Sequence, residues 1–336
     1  MNSDSVDRTV LVLGANGRFG LAAAQAFAAA GWRVLAQVRR DAAAGMPAGA
    51  TLVRAPLAAL ASGEALATLP RASIVVHAVN PLYTRWNEEA LPAALGGMAI
   101  AERLGARFLL PGNVYNFGAA MPACIDEQTP QRPTTDKGRI RAEMERELEA
   151  RAGAGRLATT VVTAGDFFGA GTGSWLDQVV VRSIGVGRLV YPGDPALVHA
   201  WAYLPDLART FVRVAALDDA APFERFTFDG HSVTGDALLA ATESAAGALG
   251  VTPTRGWRRG TMPWRLLRIG GAVVPLWREL SKMSYLWRVP HALDGGKLRA
   301  RCPGLATTPL ESALCTSLRG LGIAGKGRPA AVPGIG

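Results

Sequence analysis

Lysine is nearly missing from most of this chain: of its 336 residues, Lys137 is the only lysine before Lys282. Tyrosine is almost as scarce, with five in all and none between Tyr115 and Tyr191. A proton-transfer site that relies on either residue type therefore has few places to put it. Cysteine is limited to Cys124, Cys302 and Cys315, an odd set without metal-site spacing. That excludes a disulfide framework and points to reduced thiols. The four histidines, His77, His199, His231 and His291, are not spaced as a metal set either. The longest apolar run near the end, LLRIGGAVVPLW, is cut by Arg268 and Pro275 and is too short to cross a bilayer. The opening MNSDSVDR has no basic start leading into an apolar stretch, so a cytoplasmic location is expected.

What is present is a composition suited to a large core: 49% hydrophobic and 19% charged residues, a balance that excludes general disorder. The charge is uneven. From residue 251 onward there are 14 lysines and arginines against 3 acids, whereas the first 250 residues carry 22 against 24. Trp257, Trp264, Trp277 and Trp287 share the basic region, which suits either a weak membrane-surface contact or a set of solvated arginines around an aromatic-rich helical region. No zinc, helix-turn-helix or RNA-binding signature accompanies it, so nucleic acid is not an expected partner.

Strands and helices alternate through the first half. TVLVLG, RVLAQVRR, TLVRA, SIVVHAV, RFLLPG and ATTVVTAG read as strands, and RFGLAAAQAFAAAG, EEALPAALGGMAIAERLG and KGRIRAEMERELEARAG as helices. This alternation predicts an α/β fold with a doubly wound parallel sheet of the Rossmann type. We expect a dinucleotide-binding domain over residues 1–165. A smaller, mainly helical substrate region follows over 166–325, giving back one strand near 224–229, and a frayed tail over 326–336. Within the second part, Pro205 marks a helix start and Thr234 an N-cap.

The turn LVLGANGRFG places Gly14, Gly17 and Gly20 between the first strand and the first helix. The first glycine permits the tight turn, the second lets a pyrophosphate approach the backbone, and the third lets helix and strand pack closely. Asn16, Arg18 and Phe19 fill the same turn and join the expected cofactor contacts. The second strand ends in Arg39 and Arg40 where an NAD site usually has an acid, which favours NADP over NAD through the added phosphate. Arg18 is a third candidate contact for that phosphate, and Asp41 the alternative ligand for the ribose.

With these residues the chain resembles the extended short-chain dehydrogenase/reductase superfamily, in its NAD-dependent epimerase/dehydratase group. The glycine spacing matches that group. VVHAVNP is similar to its fourth-strand motif, which implies that Ala78, Val79 and Asn80 line the cofactor. NVYNFG resembles the segment after the fifth strand, TAGDFFG the loop that passes the nicotinamide end, and HAWAYLPDLART the segment in which a buried acid, here Asp206, anchors a helix. The likeness covers roughly residues 8–235. It implies a small-molecule substrate, and allows a homodimer paired through the fourth and fifth sheet-flanking helices, as is frequent in that superfamily.

The resemblance also implies a serine or threonine, a tyrosine and, four residues after the tyrosine, a lysine. Anchoring the match on Glu143 puts Thr135 at the tyrosine position, Arg139 at the lysine position and Pro111 at the serine position. Lys137 lies about 200° round the helix from Arg139. Three explanations stand: substitutes carry the chemistry, the protein binds NADP(H) as a sensor without turnover, or hydride donation proceeds with solvent supplying the proton. Under the first, Tyr115 is the acid/base group or substrate clamp, Lys137 or Arg139 the positive partner, and Asn113 and Asp166 the polar groups at the nicotinamide end. Tyr115 also reads as a packing residue, and Asp166 as a loop cap or as a carboxyl raised by desolvation. The carboxylates from Glu143 to Glu149 read as a solvated helix face. Trp175, Tyr191, His199 and Trp201 are expected to wall the substrate pocket.

Overall fold

The computed structural model describes residues 8–324; the expected frayed tail lies outside them. The chain runs β1 (Thr9–Leu13), α1 (Arg18–Ala29), β2 (Arg33–Val38), β3 (Thr51–Arg54), α2 (Leu57–Ser62), β4 (Ile74–His77), α3 (Trp86–Leu104) and β5 (Arg107–Asn113). It continues through β6 (Cys124–Ile125), α4 (Asp136–Gly153), β7 (Thr159–Ala164), β8 (Asp166–Phe168), β9 (Arg188–Tyr191), β10 (Val198–Tyr203) and α5 (Leu204–Ala215). β11 (Phe223–Phe228), β12 (His231–Thr234) and α6 (Gly235–Ala248) follow. The last part holds β13 (Arg258–Thr261), α7 (Trp264–Gly270), α8 (Pro275–Lys282), β14 (Ala292–Leu293), α9 (Gly296–Arg301) and α10 (Leu310–Gly320).

Seven strands form one parallel sheet in the order β11-β7-β5-β4-β1-β2-β3. The order reverses between β1 and β4, the switch point at which doubly wound sheets open a crevice at their carboxyl edge. β1, β4 and β7 are buried along their whole length, as strands covered on both faces must be. On one face α1 and α5 seal the sheet. Phe27 there is wholly buried edge-on to Trp32 at 5.2 Å between ring centroids, and Phe19 meets Phe211 at 4.8 Å. Side chains of this size contribute about 2 kcal/mol each on burial. On the other face Met98, Ile100, Met144 and Leu148 of α3 and α4 pack over Leu11, Leu13 and Leu110.

A second layer sits beyond the carboxyl edge. β8, β10 and β12 make a three-stranded sheet, with β8 and β10 parallel and Trp201 opposite Asp166. The region read from sequence as helical also contains β13, which pairs with β9, and β14, which pairs with β6. Asp206 is buried and accepts from the Thr308 amide and hydroxyl, both at 2.7 Å, so it ties α5 to the segment before α10. No helix among the described residues is long and apolar enough to cross a membrane.

Candidate active site

The site is built at the carboxyl edge from two ends. At the first, Gly14 turns the chain with φ +75°, a conformation that favours glycine, and a Cβ there would crowd the Val79 amide. A Cβ at Gly20 would overlap the Gly14 carbonyl oxygen. Gly17 is the N-cap of α1 and no side chain caps that helix, so its first amides are left for a ligand. Ala78 and Val79 run beside the turn. This is a cradle that fits a dinucleotide pyrophosphate.

Side chains around the turn fix its surroundings. Asn16 donates to the Asp41 carbonyl and accepts from the Ala43 amide, both at 2.8 Å, which pins the loop after β2 to the glycine turn. Arg39 and Arg40, at the head of that loop, are exposed and have no partner among the described residues. Arg18 is committed elsewhere: it donates to the carbonyls of Gly169 at 2.9 Å, Gly173 at 3.3 Å and Phe167 at 3.4 Å. Phe19 contributes its side chain to the core. Asn80 accepts from the Trp86 indole at 3.0 Å. Gln37, which the sequence reading did not single out, is buried, accepts from the Gly14 amide at 2.9 Å and donates to the Ala55 carbonyl at 2.7 Å.

The second end is made by α4 and the turn after β5. Asn113 accepts from the Tyr115 amide at 3.1 Å and so caps the short turn that presents Tyr115. A Cβ at Gly138 would overlap the Tyr115 carbonyl oxygen, so glycine in the first turn of α4 lets helix and turn lie flush. Thr135 is the N-cap of α4 and accepts from the Gly138 amide at 3.2 Å, which gives it a helix-starting role and sets it beside Tyr285.

The inward face of α4 begins two residues later than the Glu143 anchoring gave. Arg139, expected as a positive partner in the site, faces solvent and pairs with Asp136. The inward residues four apart are the buried Lys137 and the half-buried Arg141 instead. Lys137 donates to Glu279 of α8 at 2.7 Å, to the Tyr83 carbonyl at 3.2 Å and to Asn87 at 3.3 Å, and lies over the Tyr83 ring. Burial works to raise the Glu279 carboxyl, but bonds from Lys137 and Lys282 outweigh it and hold it below the ordinary carboxylate range. Arg141 donates to the Pro111 carbonyl at 3.1 Å and sits 5.3 Å over the Trp86 ring. Burial lowers its pKa, and the fields of Tyr115 and Glu145 support its charge.

The solvated reading of the α4 carboxylates also needs correcting. Glu145 is buried and accepts from Asn116 and Gln131 at 2.6 Å each and from Arg225 at 2.9 Å. It fastens α4 to the turn after β5 and to β11.

A cluster of phenols, Tyr83, Tyr115 and Tyr285, adjoins the second end. Tyr115 is half-buried and its hydroxyl interacts with that of Tyr83. Desolvation, with the Asp166 and Tyr285 fields behind it, drives the Tyr115 phenol well above its ordinary pKa; Arg141 and Tyr83 pull against this and do not overcome it. Asp166 influences Tyr83, Tyr115, Tyr191 and Tyr285 alike. Its Oδ2 lies 2.8 Å from His199 Nε2. His199 in turn stacks on Trp287 at 4.2 Å and meets His291 at 4.5 Å. Of the expected wall, His199, Trp201 and Tyr191 all contact Trp287, and so does Trp175. His77, at the end of β4, is buried and held neutral, its pKa lowered to about 3 by desolvation and then by Arg141. No cluster of residues suited to a metal ion occurs among the described residues.

Comparison with known proteins agrees with this architecture. MoeE5, solved in complex with UDP-glucose and NAD, superposes with a TM-score of 0.70 at 17% identity, over 94% of this chain and 98% of its own. UDP-glucose 4-epimerase of Thermotoga maritima, solved with UDP-glucose, gives 0.71 at 15% identity over 93% and 98%. WbmH of Bordetella bronchiseptica, solved with NAD+, gives 0.69 at 15% over 94% and 98%. At such identities the likeness shows the fold. No curated protein matches the sequence at a significant level. The model of the NAD dependent epimerase/dehydratase family matches residues 10–226, and the chain belongs to that family.

Proposed function

We propose that the protein is an NADP(H)-linked oxidoreductase of epimerase type that reduces a carbonyl on a small molecule, with Tyr115 as the proton donor. The observation that carries this reading is the placement of Tyr115. Its phenol is presented by the turn after β5, which Asn113 caps and Gly138 of α4 lies against, close to the phenol of Tyr83 and the guanidinium of Arg141. A group that must give a proton to a reacting oxygen has to hold it at operating pH. An ordinary phenol already does so; desolvation makes Tyr115 a weaker acid still, and the Arg141 charge works against that.

The nicotinamide, when bound, supplies the hydride. The amides of Arg18, Phe19 and Gly20 at the start of α1 would hold the pyrophosphate, with Ala78 and Val79 along the adjoining edge. Arg39 and Arg40 would take the extra phosphate through forked, charge-assisted bonds, and they favour NADP over NAD. Arg141 stabilises negative charge that develops on Tyr115 as the proton leaves, without exchanging a proton itself. Asp166 and His199 form a hydrogen-bonded pair that orients a polar group of the substrate beside the phenol cluster. The neighbours solved with UDP-glucose make UDP-sugars the first substrates to try.

A second reading, an NADP(H)-binding regulatory protein without turnover, draws on one observation. The lysine at the inward position of α4 is neutralised by Glu279 and is not free to assist a proton transfer. Incubation with NADPH and with NADH, across UDP-sugars and simple carbonyl compounds, separates the two. Cofactor oxidation tied to any substrate supports the reductase; binding without consumption across the set supports the regulator.

A further inference from the structure

The helical hairpin of α7 and α8 has a surface unlike the rest of the molecule. Of the seven large hydrophobic side chains that stand exposed among the described residues, five belong to it: Leu266, Ile269, Val273, Leu276 and Trp277. Ile269 and Val273, at 74% and 84% exposure, have almost no protein contact. Leu266 and Ile269 stand three apart on α7 and Val273 lies in the turn that follows it, while Leu267 is the buried residue of that helix. The tip is closed tightly, with the Trp277 ring packed over Gly270 and the Arg278 guanidinium bonded to the Gly271 carbonyl at 3.0 Å. These apolar groups are thus presented by an ordered element.

Charge identifies what the hairpin meets. Residues 251–278 contain six arginines and no acid. Arg255, Arg258, Arg265 and Arg268 are exposed and unpaired among the described residues. The first acid of α8, Glu279, is turned inward to Lys137. A second copy of the same chain would bring these cations against each other. An anionic bilayer surface satisfies both features, because apolar tips enter the acyl boundary while Arg265 and Arg268 of the same helix meet lipid phosphates. The helices are 7 and 8 residues long, which suits lying in the interface and not crossing it.

We propose that the α7–α8 hairpin docks the protein on an anionic membrane surface. The docked element is continuous with the site: Trp264 at its base meets Trp175 at 6.2 Å and donates to the Pro192 carbonyl, and Glu279 at its other end holds Lys137. The hairpin therefore sets the phenol cluster around Lys137 close to the lipid interface.

Co-sedimentation of the full chain with vesicles tests this, using phosphatidylcholine alone and an equimolar mixture with phosphatidylglycerol. The protein is expected to pellet with the anionic vesicles and not with the neutral ones, and to be released by added salt. Arg265→Gln with Arg268→Gln should weaken partitioning by about fivefold for each charge. Leu266→Ser, Ile269→Ser and Val273→Ser together should weaken it by at least about tenfold, and circular dichroism checks that the fold is kept. Equal recovery in the supernatant with both vesicle types overturns the proposal. So does a dimer in solution that these same substitutions dissociate, since the face would then be a contact between copies.

Discussion

The two ends of the site are made of different material. The glycine end is built from backbone: amides, a left-handed turn, and places where no Cβ fits. The α4 end is built from side chains, with Lys137, Arg141 and Glu145 reaching inward from one helix face. A site made of backbone tolerates any side chain that points away, provided the glycines stay. A site made of side chains depends on helical phase, and a shift of two residues exchanges the buried face for the solvated one. The chain holds the first end to the family pattern and carries lysine and arginine at the inward positions of the second.

That contrast can be broken or sharpened by substitution. The largest effect is expected at the α4 end, where Lys137→Met leaves Glu279 without its buried cation and should cost about 3 kcal/mol or more in denaturant unfolding. Pairing it with Glu279→Leu should recover much of that loss; a double variant as unstable as the sum of the singles would deny the coupling. At the glycine end, Gly20→Val should weaken NADPH binding by about a hundredfold in a fluorescence titration, with less effect on unfolding than the lysine change. Smaller again, Arg39→Gln with Arg40→Gln should reduce the preference for NADPH over NADH by about tenfold and leave NADH affinity unchanged. An equal loss for both cofactors would remove the role given to these arginines.

The last effect is a slope that is absent at neutral pH and develops only in acid. Desolvation lowers His77 to about 3 and His291 to about 4, and His231 is lowered as well. In the unfolded chain these histidines take up protons near pH 6.5, while the folded chain does not, so the unfolded state binds more protons below that point. Stability is therefore full above pH 6.5 and falls as pH drops toward 4, by about 1.4 kcal/mol per pH unit for each histidine. His77→Leu should flatten this slope in thermal melts; an unchanged slope would mean that His77 is protonated in the fold.

The parallel sheet, the helix positions and the glycine turn were legible because each leaves a periodic or compositional mark within a short window. TVLVLG carries an unbroken apolar run from Val10 to Leu13, and Gly14, Gly17 and Gly20 stand at fixed offsets. The phase of α4 was not legible, because charged residues on both faces hide the stripe: Lys137 and Glu145 are buried and Arg141 bonds inward to the Pro111 carbonyl, whereas Arg139 and Arg146 are exposed. A signal was nonetheless present. Lys137, Arg141 and Glu145 recur every four residues, in line with the apolar Met144 and Leu148. The partners that make burial of those charges tolerable come from far along the chain, Glu279 for Lys137 and Arg225 for Glu145. Such long-range compensation has no local trace. Gln37 was missed for the same reason, since its two bonds go to Gly14 and Ala55 on either side of its strand.

Paired measurement of NADPH affinity and NADPH oxidation in the native protein and in Tyr115→Phe tests the central claim most directly. With an accepted carbonyl substrate, the native protein should consume NADPH, and the phenylalanine variant should bind it equally well while turning over at least about a hundredfold more slowly. Full turnover by the variant, or tight binding by the native protein with no oxidation of NADPH by any substrate tried, would contradict it.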